Sequence, residues 1–278
     1  MSIRLEESDF FLTVRYGEVG FDGVATLSSL ANWLQEAAGQ NAGLLGFGEE
    51  HLSPLGLSWI LARLALRIKR LPAAGERLRV RTWPSALDRF GHRGYKVYDE
   101  KDCLIVIGSS SWSVMNMRER RLASLPSDLA QSYPKDARPC LPFCCRVLPR
   151  LADRGERTAL LRVRRDDLDI NGHVNNAHYL AWLMEALPVP EKESGLSLTP
   201  DMLDISFRAE CFPGDELESA CGAAPASEDM AGLARREQEL SPGSGEKVIL
   251  HAIRRRTGER VEETCRAVSL WRKSPLGE

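Results

Sequence analysis

The chain has 278 residues, 43% hydrophobic and 27% charged, with a formal net charge of −2. That balance belongs to a globular protein with an ample core and excludes a disordered chain or one drawn as a whole to nucleic acid. The segment MSIRLEESDFFLTV carries acids where a signal peptide needs a basic stretch and then an apolar one, and no later run reaches bilayer length, so no membrane insertion and a cytoplasmic location are expected.

In chain order, alternating apolar residues predict a strand over 10–16, then an irregular Gly-containing stretch and a helix over 26–44. Strands follow at 57–69, 76–83, 91–98 and 103–117, rich in Val, Ile, Trp and Tyr at alternate positions. Residues 123–157 hold Pro126, Pro134, Pro139, Pro142 and Pro149 and are expected to be an extended linker between two halves. A strand over 158–165 then leads through a polar segment to a helix over 175–187, which Asn175 or Asn176 caps and Pro188 stops. Strands are expected at 202–211, 215–221, 247–255 and 262–272, and the sparsely apolar stretch 222–246 between them is treated as a long connection.

Seven cysteines, Cys103, Cys140, Cys144, Cys145, Cys211, Cys221 and Cys265, make an odd number without zinc-ligand spacing and are expected to be reduced thiols. Basic residues cluster in Arg63 to Arg81, in Arg118, Arg120 and Arg121, and in Arg254 to Arg256. Each cluster suits a solvated strand face, and together they suit docking to an acidic partner.

The order of elements repeats, and so do residues. A shift of 149 carries Trp33 onto Trp182, Val14-Arg15 onto Val163-Arg164, Gly23 onto Gly172 and Glu36-Ala37 onto Glu185-Ala186; a shift of 139 carries Gly75 onto Gly214. Two matches in the same order point to duplication of a whole domain. The helix over 175–187 has apolar residues round most of its circumference, as a helix wrapped by a sheet would. The expected class is α+β, a tandem double hot-dog with a long curved antiparallel sheet around one helix in each half. Its domains are 1–122, a linker 123–157, and 158–278.

Ahead of the second helix, Asp169, Asn171 and His173 stand two apart, so in an extended backbone an acid, an amide and an imidazole share one face near a helix N-terminus. The same shift places Gly20, Asp22 and Val24 there in the first copy, which lacks the chemistry. Taken singly, Asp and Asn are common turn formers and a lone His is usually structural. As a triplet in one copy only, they point to a reacting site.

The run Asp169-Ile170-Asn171-Gly172-His173-Val174-Asn175-Asn176 with Tyr179 downstream resembles the signature of the plant and bacterial acyl-acyl-carrier-protein (acyl-ACP) thioesterases. Similarity continues in Phe207-Arg208-Ala209-Glu210-Cys211, in residues 112–122 and in 268–273. The resemblance implies an enzyme that hydrolyses fatty acyl-ACP and ends elongation without metal or organic cofactor. Its implied partner is an acyl carrier protein, and the assembly considered is a homodimer of the internal pseudo-dimer. The implied catalytic set is Asp169, Asn171, His173, Glu210 and Cys211, with a carboxylate route favoured over a Cys211 nucleophile. Strict alternation along Leu203, Ile205, Phe207 and Ala209 would leave Glu210 on the wrong face unless a bulge near Ala209 turns it inward. Trp33, Trp59, Asn175 and Asn176 are the expected substrate-binding residues, and the first copy is expected to offer apolar walls to the acyl chain. The rivals are an acyl-CoA thioesterase of the same fold and a non-catalytic acyl-thioester sensor.

Overall fold

The computed structural model describes residues 7–133, 140–152, 155–169, 172–188, 196–224 and 247–275. They fall into two compact units, one comprising the chain to Val19 with Ser29–Phe143, the other Gly20–Ser28 with the chain from Cys144.

The first unit holds β1 (Ser8–Thr13), α1 (Leu27–Leu44), the short α2 (Glu49–Leu52), β2 (Leu57–Ile68), β3 (Arg77–Leu87), β4 (Gly91–Tyr98), β5 (Leu104–Asn116), β6 (Arg121–Ala123) and α3 (Ser127–Ser132). Its antiparallel sheet runs β1-β3-β4-β5-β2. Helix α1 buries Leu30, Ala31, Leu34, Ala37 and Ala38. Its end is set by Gly46, whose φ of 80° only glycine adopts without strain. The Phe47 N–H then reaches back 3.0 Å to the Ala42 carbonyl, which closes the helix. That reversal swings Phe47 into a core with Ala42, Leu52 and Tyr133, against which Trp59 packs.

The second unit holds β7 (Arg157–Arg162), α4 (Asn176–Glu185), β8 (Leu196–Phe207), β9 (Glu216–Ala223), β10 (Lys247–Thr257) and β11 (Arg260–Pro275). Its sheet runs β7-β9-β10-β11-β8, again antiparallel. One face meets α4, which lies against β7, β9 and β10. The other face buries Met202, Ala220, Leu250, Ala252, Val268 and Leu270 under Leu148 and Leu151. Those two belong to the stretch expected as an extended linker, which is in fact partly helical and packed. Tyr133 enters the first core, and the segment around 148–152 is strapped to the second sheet. The Arg254 guanidinium donates to the Leu151 and Ala152 carbonyls and that of Arg266 to Leu148. The prolines stop regular strand pairing, but the apolar residues among them still need burial. Most of the expected connection 222–246 lies outside the described residues.

The duplication is visible in the register. Val14 and Val163 each exchange backbone hydrogen bonds with a turn whose glycine has positive φ, Gly75 and Gly214. On the sheets, Arg93 faces Ser110 and Tyr95 faces Gly108 in the first unit, as Ile249 faces Ser269 and His251 faces Ala267 in the second. The Trp112 indole donates to Ser110 Oγ and that of Trp271 to Ser269 Oγ, at 2.7 and 2.5 Å.

His251 is 1% exposed, with Nε2 2.7 Å from Ser269 Oγ and no hydrogen bond at Nδ1 among the described residues. Burial pushes its pKa down to about 4 from the ordinary 6.5. The unfolded chain therefore takes up this proton before the folded one does. The stabilising contribution is complete above about pH 6.5 and is lost as pH falls towards 4, on the order of 3 kcal/mol. In urea unfolding across this range, His251→Gln is expected to flatten the pH dependence relative to the unsubstituted chain.

Candidate active site

The segment that carries the site starts from a buried carboxylate. A 3-10 turn over Arg165–Asp167 is closed by Asp167, whose Oδ2 accepts the Arg164 N–H at 2.7 Å and whose Oδ1 accepts Arg164 Nη2 at 2.9 Å. Burial by itself would raise the Asp167 pKa, but the hydrogen bonds from the Arg164 side chain and backbone hold it below the ordinary carboxylate value. The Asp167 carbonyl accepts the Asn175 N–H at 2.8 Å, and His178 Nδ1 lies 3.5 Å from Oδ1. Asn175 Oδ1 in turn accepts the Ala177 N–H at 3.0 Å and so caps α4, while Asn176 is the first residue of the helix.

Between these anchors the chain reverses. Leu168 bridges Val174, the Asp169 N–H reaches the His173 carbonyl at 2.7 Å, and the Gly172 N–H reaches the Asp169 carbonyl at 3.0 Å. Gly172 has a φ of 76°, which the turn requires. Asp169 Oδ1 accepts the backbone N–H of His173 at 3.2 Å. Asp169 thus holds the loop that presents the imidazole, and Asn171 lies outside the described residues.

A second segment comes to meet this loop. The Arg208 and Ala209 N–H groups both donate to the Thr264 carbonyl, so two residues oppose one and the strand alternation ends at Phe207. The bulge anticipated near Ala209 brings Glu210 to His173, with Oε1 3.5 Å from Nδ1. Both side chains are mostly buried, and the Phe212 ring meets the imidazole edge-on at 5.4 Å. Glu210 is fixed through its backbone. Its carbonyl accepts Arg255 Nη1 at 3.1 Å, and the Tyr179 hydroxyl donates to the Ala209 carbonyl at 3.3 Å. Arg255 also grips Glu262 and Asp215, which raises its pKa well above the ordinary value.

Cys211 is 0% exposed, its carbonyl accepting the Val174 N–H, and burial pushes its thiol pKa up. A raised pKa leaves little thiolate, the opposite of what a nucleophile needs. Trp33 is buried and donates its indole N–H to Glu18 Oε1 at 3.0 Å, and Trp59 donates to the Phe47 carbonyl at 2.9 Å. The structure therefore brings together Asp169, His173 and Glu210, with Cys211 packed behind them.

Asp167 and Phe212 did not stand out in the sequence, and Arg255 did so only as part of a basic cluster. Asp167 had a readable signal, because the 149-residue shift pairs it with Glu18, which accepts the Arg15 N–H at 2.7 Å in the same way. The first copy repeats the reversal too. The Gly20 N–H reaches the Val24 carbonyl at 2.8 Å, Gly23 has a φ of 80°, and Asp22 Oδ1 accepts the Val24 N–H. One backbone serves both copies, and only the second puts an imidazole on it.

Two family models match the chain, the acyl-ACP thioesterase N-terminal domain over residues 9–133 and its C-terminal domain over residues 152–273. The chain belongs to the acyl-ACP thioesterase family. Among curated relatives, oleoyl-acyl carrier protein thioesterase 1 of Arabidopsis thaliana is 29% identical over 94% of this chain and 75% of its own length. The oleoyl-acyl carrier protein thioesterase of Coriandrum sativum is 32% identical over 74% of this chain and 60% of its own. An acyl-ACP thioesterase structure from Bacteroides thetaiotaomicron superposes with a TM-score of 0.76 at 24% identity, covering 96% of this chain and 98% of that one. The 12:0-ACP thioesterase of Umbellularia californica superposes at 0.77 and 24%, covering 96% and 94%. The family fold is the double hot-dog expected from the repeat. Among the described residues no helix is long and apolar enough to cross a membrane.

In this member of the family, Asp167→Ala is expected to cost about 1–2 kcal/mol in urea unfolding through loss of the cap, and to lower turnover by loosening the His173 loop. Asp167→Glu, which copies the Glu18 arrangement, is expected to recover most of both.

Proposed function

We propose that this acyl-ACP thioesterase cleaves fatty acyl-ACP to free fatty acid and holo-ACP with His173 and Glu210 as its reacting pair and Asp169 as the residue that sets the imidazole. The observation that carries this reading is the 3.5 Å approach of Glu210 Oε1 to His173 Nδ1 across the loop and the bulge. The carboxylate takes the Nδ1 side of the imidazole, which leaves His173 to exchange protons through Nε2. Water attacks the thioester carbonyl carbon and gives its proton to the pair. The C–S bond breaks, and the leaving thiolate takes the proton back from the imidazole. Asn171 is assigned the task of orienting the acyl carbonyl, on the strength of its place in the signature.

The buried, high-pKa thiol of Cys211 supports the carboxylate route. Catalysis is assigned to the second copy (158–278) and the acyl chain to the first (1–122), with Trp59 beside it, since the first copy has the same reversal without the imidazole. Of the basic clusters, the exposed one at Arg118, Arg120 and Arg121 is assigned to the acidic carrier protein, whereas Arg254 and Arg255 are taken up in bonds within the second unit. All seven cysteines are thiols, which supports residence in a reducing compartment and fits the cytoplasm, whereas the plant relatives are chloroplastic. A homodimer is the proposed assembly.

The test is release of free thiol from acyl-ACP and from acyl-CoA of several chain lengths. His173→Ala and Glu210→Gln are expected to lower kcat on acyl-ACP by roughly 10²- to 10⁴-fold in proteins that melt as the parent does, while Cys211→Ala keeps most of its activity. Near-normal turnover in folded His173→Ala would overturn the site, and complete loss in folded Cys211→Ala would return the thiol to the nucleophile's role. Faster release from acyl-CoA would overturn the choice of carrier.

A further inference from the structure

The inner face of the first sheet carries an arginine that the catalytic reading does not use. Arg93, on β4, is 5% exposed. Among the described residues its guanidinium makes two hydrogen bonds, both from Nη1, to Asn41 Oδ1 at 2.6 Å and to Thr82 Oγ1 at 3.3 Å. Neither partner is charged, and no ion pair to a carboxylate forms among the described residues. A guanidinium stays protonated even where burial pulls its pKa down, as it does here. A buried charge without a carboxylate partner costs several kcal/mol, so the absence of one among the described residues calls for a reason.

The duplication supplies a control. Register for register, the position of Arg93 opposite Ser110 is held in the second unit by Ile249 opposite Ser269. The surrounding residues correspond as well: Tyr95 bonds Ser110 at 3.0 Å where His251 bonds Ser269 at 2.7 Å, and each serine accepts a tryptophan N–H. An aliphatic side chain thus satisfies this fold at this point, and the cation is an addition of the first copy.

The groups around Arg93 are those that would receive a polar ligand atom. Thr82, Tyr95 and Ser110 sit on the neighbouring strand positions, and Asn41 reaches in from α1, itself anchored to Ser8 Oγ at 2.9 Å. Tyr95 and Tyr133 both lie close enough to the guanidinium to interact with its charge. The Tyr133 hydroxyl stands over Gly91, where a Cβ would come within 3.0 Å of it. The apolar interior expected of the first copy is therefore interrupted by a donor-rich patch around one cation.

We propose that Arg93, fixed by Asn41 and Thr82, is a specificity-determining residue that selects acyl chains bearing an oxygen acceptor, a hydroxyl, oxo or carboxylate group along the chain, over plain hydrocarbon chains. This rests on the assignment of the acyl chain to the first copy. The oxygen completes the guanidinium's hydrogen bonding, and a plain chain leaves the cation buried against methylenes.

The experiment compares kcat/KM for matched acyl-ACP substrates of 8 to 16 carbons, each plain or carrying a hydroxyl or carboxylate at a mid-chain or terminal position. The unsubstituted protein is expected to prefer at least one oxygenated position by roughly ten- to a hundred-fold, the range of a hydrogen bond to a charged group. Arg93→Ile, which installs the residue of the other copy, is expected to abolish that preference while leaving plain-chain hydrolysis at or above its original rate. Arg93→Lys keeps the charge but loses the planar fork, and is expected to reduce the preference in part; it gives the readout if Arg93→Ile fails to fold. No preference at any position, or an equal loss on plain and oxygenated chains in a folded variant, overturns the proposal. Failure of the unsubstituted protein to hydrolyse any acyl-ACP would instead overturn the thioesterase reading beneath it.

Discussion

The site depends on a buried carboxylate that turns the chain back on itself. Asp167 satisfies the start of a tight turn through its side chain and the start of α4 through its carbonyl. Asp167 and Asn175 pin the two ends, and Asp169 holds the His173 backbone N–H, so the imidazole is presented from a fixed backbone position. The cost of sequestering the carboxylate is met by Arg164, so the arrangement stands on electrostatics and hydrogen bonds rather than on hydrophobic packing. In the first copy the Glu18 carboxylate likewise accepts the Arg15 backbone N–H, so the turn closure belongs to the duplicated fold, while the burial of the carboxylate against an arginine side chain is seen in the second.

Against this shared frame, the departures between copies are informative. The second copy exchanges Gly20 and Val24 for Asp169 and His173, and the first holds Arg93 where the second holds Ile249. Each departure places a charged or titratable group where its counterpart shows that the fold accepts a small or aliphatic one. Such groups carry a desolvation cost without being needed for folding, which is why function accounts for them better than structure does. The proposed division of reaction and recognition between two copies of one backbone is what a duplicated domain released from doing both would show.

The second sheet shows how much of this rests on covering both faces. Helix α4 occupies one side and the segment bearing Leu148 and Leu151 the other. Arg254 and Arg266 tie that segment down through carbonyls that the prolines leave outside any strand ladder. The neighbouring Arg255 holds Glu210 by its backbone. One run of arginines, legible only as a basic cluster in the sequence, thereby serves both the packing of the connector and the placement of the carboxylate that meets His173.

The residues by themselves determined the repeat, the two long helices, most strand positions and the presence of an acid and an imidazole in one segment ahead of α4, because these follow from local periodicity and from matching one half against the other. They also marked the need for a bulge near Ala209, since alternation and the position of Glu210 conflict on paper. Tertiary structure alone decided that two N–H groups share the Thr264 carbonyl and so turn Glu210 onto His173, that the Cys211 thiol faces the core, and that residues 148–152 of the proline-rich connector cover the second sheet. It also decided that Arg93 meets an amide and a hydroxyl, and no carboxylate among the described residues. The physical reason is common to all four: each depends on which atom from a distant stretch of chain lies within a hydrogen bond's or a side chain's reach, and local pattern carries no record of that.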